Sequence, residues 1–335
     1  TDGTAQNTAA CAALISNITV NSQVLEGGSL VSDTSSLIHW TPIGGNTDAL
    51  GYASGPKYSG VFDGGNHTIS GLYFDDEGKQ YVGLFGYCEG ATIKDLKLAD
   101  SYIHGSQRVG VICGTSYLNS SISGCTNGAA VSASPHTANA YVGGICGENN
   151  RASIEKCGNT GAVSANTSME SYCGGICGYN SGYTDIKSTI SNCWNAGAVS
   201  AAEGGGGICG RNHEYASITS CFNYGAVSKN TDCGAAVGVN GSSNTTLSNC
   251  YFDTNTSVSN GIGYDYSGSG SVSGKTTAEF SSGEVCYRLN NGVSDGTQAW
   301  YQYVDTGTLD TYPQLSGGRV IQSGYRYTND NLIVV

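Results

Sequence analysis

Cysteine is the residue type best equipped to do chemistry in this chain, with 14 among 335 residues. Thiolates can ligate soft metals, attack electrophiles or pair as disulfides. No Cys-x-x-Cys spacing occurs, so the usual signature of a zinc knuckle or redox dithiol is missing and no metal is assigned. Nine of the cysteines instead recur at two positions of a repeated pattern: Cys113, Cys146, Cys177 and Cys209 at one, and Cys125, Cys157, Cys193, Cys221 and Cys250 at the other. Residues at such positions serve either as small buried hydrophobes or as halves of disulfides within one repeat (Cys113/Cys125, Cys146/Cys157, Cys177/Cys193, Cys209/Cys221). Spacing leaves both readings open. The free-thiol reading is preferred, because Cys250 faces Val237 in its own repeat and finds a partner only by invoking Cys233. Cys173 and Cys233 lie two repeats apart, too far for a direct bond, and Cys11, Cys88 and Cys286 have no assignable partner.

Other catalytic patterns fail on inspection. His213-Glu214 opens like a zinc-protease motif, but position 217 is Ser where the second His ligand would stand. Gly205-x-Gly207-x-x-Gly210 matches a dinucleotide fingerprint in letters only, because it lies inside the repeat with no helix after it. Polysaccharide cleavage would need paired carboxylates at constant positions, yet Asp95, Glu148, Glu155 and Glu214 occupy different places in their repeats. Asp63 likewise has no repeated partner, and the Asn-Thr-Asp runs at Asn46 and Asn230 are not followed by further acids. A thiol nucleophile paired with His39, His67, His104, His136 or His213 has no motif to support it. The sequence therefore names no catalytic residue and no cofactor.

Composition narrows the setting. A net charge of −12 with 14 Lys and Arg and no basic run argues against nucleic acid, and no stretch of 18 apolar residues suggests membrane insertion. The N-terminus has no basic-then-apolar leader, so the chain is expected to be mature or excised. Abundant Ser, Thr, Asn, Gly and Tyr with little Lys suits a secreted or bacterial cell-surface protein. Six sequons, at Asn17, Asn66, Asn119, Asn166, Asn244 and Asn255, are what chance supplies in so Asn-, Ser- and Thr-rich a chain.

The elements that must position these residues come from self-similarity, which governs any reading of a repeated chain. The blocks YVGLFG, VGVICG, VGGICG, CGGICG, GGGICG and CGAAVG end at Gly86, Gly114, Gly147, Gly178, Gly210 and Gly238, at intervals of 28, 33, 31, 32 and 28 residues. Each is followed by an apolar pair three apart: Ile93/Leu96, Ile122/Cys125, Ile154/Cys157, Ile190/Cys193, Ile218/Cys221 and Leu247/Cys250. A third element, Val131, Val163, Val199 or Val227, follows in the central copies, flanked by Ala and Ser that would face outward. Constant spacing inside short strands and variable spacing between them is the pattern of a solenoid. The expected fold is all-β, a right-handed parallel β-helix with short capping segments at both ends. Gly147, Gly178 and Gly210 are expected to supply its bends. Two asparagine columns, Asn127, Asn159, Asn195 and Asn223, and Asn149, Asn180, Asn212 and Asn240, would stack amides at corners.

The units Gly143 to Ala165 and Gly206 to Lys229 resemble the repeats of the GLUG-motif family, and Trp40 to Gly44 with Tyr58 to Phe74 resembles the leader before such repeats. The likeness covers roughly residues 38 to 255, with the final repeat eroded at Ala235, Ala236, Val237 and Phe252. It implies a β-helical region of a bacterial surface protein, adhesive or structural, and it implies no catalytic residue. The expected organisation is an N-terminal cap and solenoid start over 1–79, a repeat β-helix over 80–265 and a C-terminal cap over 266–335. That cap would hold one helix opened by a capping box at Thr276 to Glu279 and running through Leu289 to Gly292, matched by a short helix over Thr8 to Ile15. A glycan or another surface protein is the expected partner, with Tyr172, Tyr179, Tyr183, Trp194 and Phe222 as stacking candidates; self-association is an alternative. A polysaccharide-active enzyme and a passive stalk are the rival functions.

Overall fold

In the computed structural model, the described residues are all except 1–5, 46–54, 136–138, 166–169, 229, 256–257, 269, 294–296, 305–308, 317–324, 329–330 and 335. Asn46, His136 and the sequon at Asn166 therefore lie outside the described residues.

One turn of the chain shows how the sequence builds the whole. Cys146–Asn150 forms a strand, Arg151 turns in the left-handed region, and Ser153–Glu155 forms a second strand. Lys156 turns again, and Gly158–Asn159 and Val163–Ala165 run along a third face. Ser171–Gly174 then leads into Cys177–Ser181, one rung further on. The strands of the rungs pair in parallel with their equivalents above and below, in sheets of eight, twelve, seven and four strands, while Leu25–Glu26 with Ser29–Leu30 and Tyr325–Thr328 with Asn331–Val334 form two separate antiparallel pairs. The result is a parallel β-helix, the class of fold the repeats predict. Alternate residues point inward, so Ile122, Ile154, Ile190 and Ile218 stack in one buried column. The core is a single continuous apolar rod from Tyr58 to Cys250.

Sequence and structure part over the bends. Gly147, Gly178 and Gly210 lie inside strands, and the bends fall three residues earlier, at Gly144, Gly175 and Gly207. A Cβ on Gly178 would stand 2.4 Å from the amide nitrogen of Val142, so close approach between chain segments, and not curvature, demands glycine there.

The ends differ from expectation as well. No helix forms over Thr8 to Ile15: Ala12–Ala13 pairs with Phe62–Asp63, because a short alanine run cannot hold a helix against an open ladder edge that offers hydrogen bonds. At the other end Gly283, at φ 87°, breaks the expected single helix into α1 (Thr277–Ser281) and α2 (Glu284–Leu289). The capping box itself is present, with Thr276 and Glu279 exchanging both hydrogen bonds. These helices pack against the side of the solenoid: Phe280, Val285, Cys286, Leu289 and Trp300 cluster with Phe222 and Tyr251. Among the described residues no helix is long and apolar enough to cross a membrane.

Candidate functional site

The two cysteine columns lie inside the rod. Cys113, Cys146, Cys177 and Cys209 are register partners in successive rungs, continued by Val237. Cys125, Cys157, Cys193, Cys221 and Cys250 form the second buried column, linked by contacts such as the Cys157 amide donating to the Cys193 sulfur at 3.5 Å. All fourteen thiols are free, and only Cys11 is exposed. Where two sulfurs do approach, as Cys113 and Cys88 at 3.4 Å, they stand well beyond the roughly 2.05 Å of a disulfide bond. Burial pushes the thiols of Cys177, Cys193 and Cys221 well up, which keeps them protonated and poorly nucleophilic.

The asparagines form two hydrogen-bonded ladders. Asn127 donates to Asn159 at 2.8 Å, Asn159 to Asn195 at 2.7 Å and Asn195 to Asn223 at 2.7 Å. Each also closes a turn with the residue two further on, as in the Gly161 amide donating to the Asn159 oxygen at 3.1 Å. Asn149, Asn180, Asn212 and Asn240 repeat the ladder at 2.8, 2.9 and 3.1 Å, and it ends on Asp265 at 2.9 Å. All eight are buried and face no solvent; the amides of the first ladder also satisfy backbone groups at their corner, as Asn159 does with Gly161, while Asn212 and Asn240 bond side chains.

Among the described residues, the acids and histidines singled out by sequence do not converge. Asp63 pairs with Lys94 at 2.7 Å, Glu148 with Arg108 at 2.6 Å and Glu155 with Lys156 at 3.5 Å. Asp95 and Glu214 occupy left-handed corners. His104 bonds Ser132 at 2.7 Å, and His213 bonds Tyr179 at 3.1 Å.

What does converge is a face of tyrosines and arginines. Tyr87, Glu148, Tyr179 and Arg211 point outward from one sheet, and Arg108, Tyr141 and Tyr172 from the sheet beside it. Tyr141 stacks on Tyr179 at 4.7 Å and 17°. The Arg108 guanidinium lies over Tyr81 and Tyr141 at 5.1 and 5.4 Å, and that of Arg211 lies over Tyr172 at 5.1 Å. Along the neighbouring edge Arg151 covers Tyr117 at 4.8 Å and Tyr183 at 5.7 Å. Burial pushes the phenols of Tyr172 and Tyr179 up to about 12, so both remain neutral hydrogen-bonding groups. Of the stacking residues proposed from sequence, Tyr179 and Tyr183 belong here, and so does Tyr172, though its ring is buried with the Arg211 guanidinium over it. Trp194 and Phe222 do not: they pack beneath the C-terminal helices, where hydrophobic cover outweighs display. Sequence reasoning missed Tyr81, Tyr87, Arg108, Tyr117, Tyr141 and Arg151, although outward alternation within the aligned strands would have marked several of them.

At the Tyr81 end the face runs into a cavity of about 490 Å³ lined by His39, Trp40, Thr41, Pro42, Gly45, Phe74, Asp76, Lys79, Gln80, Tyr81 and Val82. His39 packs on Phe74 at 4.9 Å, and the Trp40 indole donates to the Leu84 carbonyl at 3.3 Å. Among the described residues Asp76 is the one carboxylate in this lining.

A β-helix with an aromatic outer face is the class of protein these observations define. No family model matches the chain. Over 109 residues, 31% of this chain, it is 32% identical to halomucin from Haloquadratum walsbyi, and it spans 1% of that relative's length. A crystal structure of a Bacteroides ovatus protein, provisionally described as an immunoglobulin A1 protease, resembles it with a TM-score of 0.60 over 91% of this chain and 85% of that one. At 20% identity this likeness is one of fold.

Proposed function

We propose that this chain is a non-catalytic, extracellular β-helical module of a bacterial surface protein, related to the GLUG-motif repeats, that binds glycan along its tyrosine–arginine face. The observation that carries the reading is the run of stacked rings and guanidinium groups from Tyr81 to His213 on one side of the rod. Sugar rings present C–H faces that pack on aromatic rings and hydroxyls that bond to charged and phenolic groups. Of the four arginines with described side chains, Arg108 and Arg211 lie on this face and Arg151 on the edge beside it. The partial likeness to halomucin favours a surface setting. Among the described residues Asp76 is the one carboxylate lining the cavity, which gives hydrolysis by paired carboxylates little support there.

The test is a glycan array with the purified chain, with product analysis on every glycan bound. Binding without cleavage is expected, and Tyr141→Ala should weaken it by about 0.5–1.5 kcal/mol through the lost ring stacking. Depolymerisation would make the module an enzyme. An array with no bound glycan would leave a stalk that spaces other domains as the better account.

A further inference from the structure

Resting on that binding reading, we propose that the glycan is acidic, and that a second, smaller cavity beside Arg151 and Lys187 takes one of its anionic groups, carboxylate or sulfate.

The cavity exists because one rung is longer than the rung before it. Asn150 and Ser153 are the register partners of Ser181 and Thr189. Only Arg151 and Ala152 join the first pair, whereas residues 182–188 join the second, and Tyr183, Thr184 and Asp185 at the middle of that loop are exposed. The loop is pinned before any ligand arrives. The Tyr183 amide donates to the Ile186 carbonyl at 2.8 Å and the Gly182 amide to the Glu214 carbonyl at 2.7 Å. At its base the Ser188 hydroxyl donates to the Ser181 carbonyl at 2.6 Å. Between this loop and the Arg151 corner lies a space of about 270 Å³, whose lining includes Asn119, Arg151, Ser153, Ile186, Lys187 and Thr189.

The two cations here have no carboxylate to neutralise them. Arg151 donates from Nη2 to the Tyr117 hydroxyl at 2.6 Å and from Nε to Asn150 at 3.2 Å, both neutral partners. Among the described residues neither Arg151 nor Lys187 forms an ion pair, and no carboxylate lines the cavity. Asp185 in the loop and Glu214, whose carbonyl holds Gly182, are exposed and pair with neither. Arg108 on the face differs, since Glu148 already pairs with it at 2.6 Å. An anion placed in the cavity therefore meets a guanidinium and an ammonium that it does not have to win from another acid, with Asn119, Ser153 and Thr189 as further polar groups for its oxygens. The volume falls just below the roughly 300–1,000 Å³ of small-molecule sites, which suits a charged substituent of a sugar and not a whole oligosaccharide. The remainder of the glycan meets the face without a break. Arg151 lies over Tyr117 and Tyr183, and Tyr117 contacts Tyr87 at 5.9 Å.

The protein as a whole, at a net charge of −12, repels a polyanion, so binding of one reports a local site and not general attraction. Polygalacturonate, alginate and chondroitin sulfate are titrated calorimetrically, each beside an uncharged form of the same backbone made by carboxyl reduction and, for chondroitin, desulfation. Chondroitin that is desulfated but keeps its carboxylates separates the two anionic groups, and yeast mannan is the neutral control. At least one acidic polymer should bind, and its uncharged form about tenfold more weakly or not at all. Arg151→Gln should weaken binding about tenfold, and Lys187→Gln, whose ammonium is more exposed, about threefold, with β circular dichroism and melting midpoint unchanged. Binding by mannan alone, an uncharged form that binds as well as its acid, or both Gln variants binding like the wild type while Tyr141→Ala is weakened, would overturn the anion site and leave the face intact. Failure of every polymer to bind, or binding unaffected by Tyr141→Ala, would remove the face as a glycan site and this inference with it.

Discussion

The residue just before the second inward column holds a left-handed conformation in every rung. Asp95, Lys156, Asn192, Ser220 and Asn249 all have φ 53°, and Gly124 has φ 63°. Glycine and asparagine adopt this geometry readily, whereas lysine and serine pay a steric cost of about 1–2 kcal/mol. The corner is obligatory, because it turns the chain from one sheet to the next, so the cost is borne by whichever side chain stands there. Lys156→Gly and Ser220→Gly should each stabilise the fold by about 1 kcal/mol, less what the freer unfolded chain takes back. Asn192→Gly should change little. Denaturant titration measures all three, and equal midpoints for Lys156→Gly and wild type would show that the corner is not strained.

Among the elements, the paired helices α1 and α2 are held by a capping box and ion pairs as well as by apolar contact, and so respond to pH. The Thr276 amide, with help from Lys275 and the Thr276 hydroxyl, holds the Glu279 carboxyl below its ordinary value. A carboxylate depressed in this way contributes stability that is complete above its unfolded value, near 4.3, and is lost as pH falls through the lower folded value. Acidification below about pH 4 should therefore release the helices from Phe222 and Tyr251 before the rod itself unfolds. Trp300 is fully buried in that contact and reports the release as a red-shifted emission. Far-UV circular dichroism should retain its β signature at the same pH, and coincident loss of both signals would mean that the helices and solenoid unfold as one unit. Removing the cap side chain, as in Thr276→Ala, should bring the release to higher pH and cost about 1 kcal/mol.

At the scale of the whole molecule the rod is quasi-one-dimensional: each rung rests on its neighbours, and two rows of thiols and two of amides run through it. Every cysteine except Cys11 is buried, so a reagent should reach the columns only through local opening. Without reductant, the native protein should therefore take one alkylating label, at Cys11, and all fourteen only after denaturation. Intact mass and peptide mapping read the result. Mass deficits locating disulfides at Cys113/Cys125, Cys146/Cys157, Cys177/Cys193 or Cys209/Cys221 would contradict the free-thiol columns.

Much of this architecture is legible in the order of residues because a parallel solenoid writes itself as recurrence. Apolar, cysteine and asparagine positions that must stack are forced into constant local spacing, as at Ile154/Cys157 and Ile190/Cys193, while the loops between them escape the constraint. Spacing could not distinguish a glycine needed for curvature from one needed for contact, so Gly178 was legible as important and not as to why. Nor could it place residues from variable segments. The bridges from His39 to Tyr73 and from Ile43 to Phe85, the cavity beside Tyr81 and the docking of α1 and α2 on Phe222 join positions with no shared period. The tyrosine–arginine face is of the same kind. Its members stand one rung apart in space but some thirty residues apart in sequence, and only the stacking of rungs decides that Tyr141 meets Tyr179 and that Arg108 lies between Tyr81 and Tyr141. Local repetition determines the rod, and the lateral neighbours that pairing brings together determine what its surface offers to a ligand.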